Sequence, residues 1–110
     1  MPSNLELLFH EAMLSVYKRA KSEAHYNARI FLGMVVDKGG LETARYLLDT
    51  PTVSEGYTAL WQRNRLDLTV EAVVLDQQWW PLFTSMQRRT AIDRLRQYGY
   101  NGPLPDIDSV

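Results

Sequence analysis

The chain has 110 residues, enough for one domain with a real core. Its apolar fraction of 45% and charged fraction of 23% are those of a folded globular domain, and they argue against a disordered chain. No cysteine is present, which excludes disulfide frameworks, thiolate metal sites and cysteine nucleophiles, and a net charge of −1 gives no overall attraction to polyanions.

The first predicted element is a helix over about Asn4–Ala24. Ser3 followed by Glu6 is a capping-box pattern, and Leu5, Leu8, Phe9, Ala12, Met13, Val16, Tyr17 and Ala20 recur at helical spacing. Glu11, Lys18 and Lys21 lie on its polar face. In "HYNARIFLGMVVDKGG", Ile30, Phe31, Met34 and Val35 predict a second buried stripe. Asn27 can cap it, or the first helix can run on through Tyr26. Gly39-Gly40 predicts a firm stop. "LETARYLLDTP" predicts a third helix with Leu41, Ala44, Leu47 and Leu48 inward, closed by Pro51. Ser54 opens a fourth, with Tyr57, Leu60 and Trp61 on its apolar side.

"VEAVVLD" is valine-rich, but it lacks strict alternation and has no partner strand. It is predicted as a fifth helix capped by Asp67 or Thr69. "QQWWPLF" is predicted as a turn or loop. Thr84 with Gln87 repeats the capping box and opens a last helix, with Gln87, Ala91, Leu95 and Tyr98 on one face and Ile92 beside them; Gly99 ends it. The expected fold is all-α: a single compact bundle of five or six short helices over residues 1–100, with a loosely held acidic tail over 101–110.

Trp79 and Trp80 are adjacent, so they cannot point the same way. One is expected to be buried with Phe83, while Pro81 shapes the turn. The other is a candidate anchor for a protein partner, as are Trp61 and Arg65, because Trp and Arg are enriched at interface hot spots. Arg88, Arg89, Arg94 and Arg96 crowd the last helix. With Lys18 and Lys21 they are candidates for phosphate contact, against the alternative of a solvated helix face. Asp93 interrupts that stripe.

His25, Tyr26, Asn27 and Arg29 form a polar cluster between two apolar stretches, suited either to anion or acid–base chemistry or to hydrogen bonding at a helix junction. No metal spacing is present: His10-Glu11 is followed by Leu14 where a zinc helix would need histidine. Glu71 sits in an apolar stretch, and once buried it would need an arginine partner. Glu71 and Asp76 do not share a helix face, so they make no glycosidase pair. Neither a cofactor motif nor a catalytic serine motif is found, and the expectation is a non-enzymatic protein without cofactor or metal.

The run "YNARIFLGMVVDKGGLETARYLL", then "SEGYTALWQRNRLDLTVEAVVLD", "PLF" and "RLRQYGY", resembles an uncharacterised family of small bacterial all-helical domains. The resemblance extends from about Leu8 to Tyr100, chiefly through "GGLETARYLL" and "LDLTVEAVVL". Such domains occur as stand-alone proteins and as appended C-terminal domains. The resemblance brings no catalytic residue with it. It implies an accessory or interaction module, in phage defence or in a mobile element that counters defence. The resulting expectation is a cytoplasmic bacterial interaction module that acts by occlusion or recruitment. The alternative is a nucleic-acid-binding accessory domain that uses the last helix. The apolar content also suits a homodimer, and no run of residues is long and apolar enough to span a membrane.

Overall fold

A computed structural model describes residues 3–105. Among these, six α-helices follow one another: α1 (Asn4–Glu23), α2 (Arg29–Lys38), α3 (Gly40–Asp49), α4 (Glu55–Gln62), α5 (Val70–Val74) and α6 (Ser85–Gln97). Two 3-10 turns, Leu66–Leu68 and Gln77–Leu82, flank α5. No strand occurs among the described residues, and the fold is all-α.

Helix starts follow the side chains that can accept a backbone N–H. Ser3, Ser54, Thr69 and Thr84 each cap the helix that follows. At Thr84 the box is complete: Gln87 N–H donates to Thr84 Oγ1 at 3.1 Å, and Thr84 N–H donates to Gln87 Oε1 at 3.0 Å. Asn27 is not a cap. α2 starts after Ala28 without any side-chain cap, and Asn27 Oδ1 instead accepts from the Tyr17 hydroxyl at 2.8 Å. The chain reverses between α1 and α2 through His25, whose φ is 54°.

Gly39 takes φ 90° between α2 and α3, which a residue with a side chain adopts only under strain. Gly40 serves a second need. A Cβ there would lie 2.8 Å from the His10 Cα, so glycine lets α1 and α3 cross at close range. At the same crossing Gly40 N–H donates to His10 Nδ1 at 2.9 Å. α3 packs on α1, α2 and α6, and α5 packs on α6.

The main core gathers Phe9, Met13, Val35, Ala44, Leu48, Tyr57, Val74, Ile92 and Leu95. Its Cα radius of gyration, 12.9 Å, matches the roughly 13 Å of a compact domain of this size. Trp79 belongs to this core. It meets Phe9 edge-to-face at 5.2 Å, and Phe9 meets Phe83 in the same way at 5.3 Å.

One expectation needs correction. Ile30 is 75% exposed and not part of a buried stripe, because the packed side of α2 is narrow and Val35 is its sole fully buried side chain. The turn expected in "QQWWPLF" is an ordered 3-10 turn over Gln77–Leu82, capped by Asp76. Within the expected tail over 101–110, Leu104 packs against the core; residues 106–110 lie outside the described residues.

Candidate apolar binding cleft

The predicted aromatic and arginine anchors do not form one surface. Trp79, at 6% exposure, is a core residue, and this corrects its assignment as a partner contact. Trp80 is half-buried. Its indole N–H donates to the Leu75 carbonyl at 3.1 Å, and the Arg88 guanidinium lies 5.2 Å above its ring. Trp61 is 45% exposed and meets Tyr98 edge-to-face at 5.3 Å, beside a pocket of about 260 Å³ that Tyr98, Tyr100 and Asp67 also line. Arg65 is held in an ion-pair network, with Glu23 Oε1 at 2.8 Å and both Asp67 oxygens at 3.0 Å.

The arginine stripe of α6 is also broken up. Arg94 is buried, and this corrects its assignment as a phosphate contact. Its Nη1 donates to Glu71 Oε2 at 3.1 Å and to the Leu47 carbonyl at 3.0 Å, and its Nη2 donates to the Thr50 carbonyl. Arg88 donates to the carbonyls of Trp80 at 3.0 Å and Phe83 at 2.6 Å. Arg89 and Arg96 are exposed, as are Lys18 and Lys21 on α1. Two of the four arginines therefore serve the fold, and a strong phosphate stripe does not assemble.

What the helices do build is a cleft of about 360 Å³ bordered by α1, α2, α3, α4 and α5. Val16 and Ala20 of α1, Phe31 and Met34 of α2, Leu47 of α3 and Leu60 of α4 give it apolar walls, continued by Leu68 and Val70. A concave, mostly apolar cavity of a few hundred cubic ångströms with a few polar groups is the ordinary form of a ligand site. Ile30 lies on its rim and carries the apolar surface out into solvent.

The polar groups of the cleft are few and placed. Tyr26, Asn27 and Arg29 line it, so the junction cluster seen in the sequence does gather there, while exposed His25 is not among its walls. The Tyr26 phenol is pushed up by burial and then by the charge of Glu55, and its ring carries Arg63 at 5.2 Å. Burial likewise raises the Tyr57 phenol, whose hydroxyl donates to the Arg94 carbonyl at 2.9 Å. Glu71 borders the cleft from beneath. Burial pushes its carboxyl up, and the adjoining Arg94 opposes that. The sequence pointed to an arginine for Glu71, and Arg94 supplies it.

Most of the apolar lining, Val16, Ala20, Phe31, Met34, Leu47 and Leu60 among it, was legible in the sequence as core and not as a binding surface. The signal was present in α2, where Ile30, Phe31, Leu32, Met34, Val35 and Val36 leave little polar face for a surface helix. Among the described residues no group of three or more His, Cys, Asp or Glu is placed to hold a metal, and no helix is long and apolar enough to cross a membrane. Compared with known protein families, curated proteins and solved structures, the chain matches none.

Proposed function

We propose that this protein is an interaction module that receives an apolar segment of a partner protein in the α2 cleft. The observation that carries this reading is the continuity of the apolar walls with the exposed Ile30 rim. A small ligand held inside the cleft would leave that rim in water, whereas a polypeptide segment covers both. The action would be occlusion or recruitment, with the α1–α3–α6 core as a rigid support. Trp61, Arg89 and Arg96 are the exposed members of the two predicted residue sets, and none of them lines the cleft. A setting in the bacterial cytoplasm, in phage defence or counter-defence, draws its support from the sequence resemblance.

The test is a photoreactive residue placed at position 30 in the producing cells, with one at position 86 as control. Met86 is 78% exposed and lies outside the cleft. The expected result is a protein adduct from position 30 that disappears when Gly56→Leu fills the cleft. A Cβ at Gly56 would meet Tyr26 and Ser54 at 3.8 Å, ordinary van der Waals contact, and circular dichroism checks that the variant is folded. Equal adducts from both positions, or an adduct indifferent to Gly56→Leu, would overturn the reading. A self-adduct would make the cleft a homodimer interface and replace partner recognition.

A further inference from the structure

The cleft has two banks of opposite charge. Arg29 stands on the α2 bank and Glu55 on the α4 bank; both line the cleft and both are exposed. Neither enters an ion pair among the described residues, although Arg19, Arg65 and Arg94 find carboxylates and Glu23, Asp67 and Glu71 find arginines. Arg63 lies over the Tyr26 ring but outside the cleft walls, with Nε and Nη1 donating to the Ala24 and Ala59 carbonyls.

We infer that the segment received by the cleft is a short apolar peptide stretch with an acidic residue on its α2 side and a basic residue on its α4 side, so that it binds in one direction. The inference rests on the cleft reading above and adds to it the chemistry of the partner. Apolar side chains supply the affinity, and the two rim charges choose the orientation and reject reversed sequences, which is the usual division of labour at an interface.

Selection of a random peptide library against the intact protein tests this. The expected peptides carry an apolar core with Asp or Glu at one end and Lys or Arg at the other, and they do not bind Gly56→Leu. Their affinity for the double variant Arg29→Glu, Glu55→Arg is expected to fall about five- to ten-fold, the size of two exposed ion pairs turned repulsive. Selection on that double variant should return the reversed charge order. Circular dichroism confirms that each variant is folded. Peptides abolished by Gly56→Leu but without a charge order, or indifferent to the swap, would overturn the directional inference and leave the cleft reading standing. No enriched peptide, or peptides indifferent to Gly56→Leu, would overturn both.

Discussion

Adjacent tryptophans at positions 79 and 80 meet opposite fates because a 3-10 turn sends them in different directions. Trp79 enters the aromatic cluster with Phe9, and Trp80 stays half out beneath Arg88. Trp79→Ala is expected to cost about 3–5 kcal/mol, the usual cost of emptying a large core site, while Trp61→Ala costs about 1 kcal/mol for its lost edge-to-face contact. Urea unfolding of the two variants checks the contrast. The split of the pair was legible in the sequence; which member turned inward was not, since nothing local distinguishes them. Glu71 and Arg94 pose the same limit. A carboxylate in an apolar run called for an arginine, but only the docking of α5 on α6 selects one of them. Arg94→Ala would strand the Glu71 carboxylate and release the Leu47 and Thr50 carbonyls, at a cost of about 3–5 kcal/mol. Thermal denaturation of Arg94→Ala beside Arg89→Ala, expected to be near neutral, measures this.

Helix starts with Ser or Thr caps were legible because capping is a local interaction, as at Ser54 and Thr84. The start of α2 was not, because Asn27 has a competing tertiary bond to Tyr17. The crossing of α1 and α3 is also tertiary. In the sequence Gly40 is merely the second half of a helix stop, yet its missing Cβ allows the two backbones to approach. Gly40→Ala is expected to destabilise by about 1–3 kcal/mol through overpacking against rigid backbone. His10→Ala is expected to cost about 1 kcal/mol by removing the acceptor of the Gly40 N–H. Hydrogen exchange at the Gly40 amide should rise in His10→Ala more than at amides of α6, and an unchanged rate would show that this bond is idle.

At the scale of the whole molecule, one ion-pair network, Arg19, Glu23, Arg65 and Asp67, ties α1 to the 3-10 turn before α5. Hydrogen bonds from Arg19 and then Arg65 hold the Glu23 carboxyl down, from 4.5 to about 2. A carboxyl depressed in the folded state favours folding above its unfolded range, and that contribution is lost as pH falls from 4.5 toward about 2. Glu23→Gln is therefore expected to lower stability at neutral pH and to flatten the loss of stability across that acid window, with both effects weakened by salt. Urea titrations at a series of pH values test the slope.

Fold class was legible at this scale because periodicity and glycine stops act along the whole chain. The cleft was not legible. Its walls come from five helices, and their convergence is not a property of any single stretch. The apolar excess of α2 was the visible trace of that unfilled space.

The cleft as the molecule's receptive surface is tested most directly by methyl-resolved NMR during titration with a small apolar probe such as benzene. The account expects saturable shifts confined to the methyls of Ala20, Ala28, Met34, Leu60 and Leu68, and their loss in Gly56→Leu. Shifts centred on the exposed Leu7, Leu8 or Met86 instead, or shifts in the cleft that persist in Gly56→Leu, would contradict it.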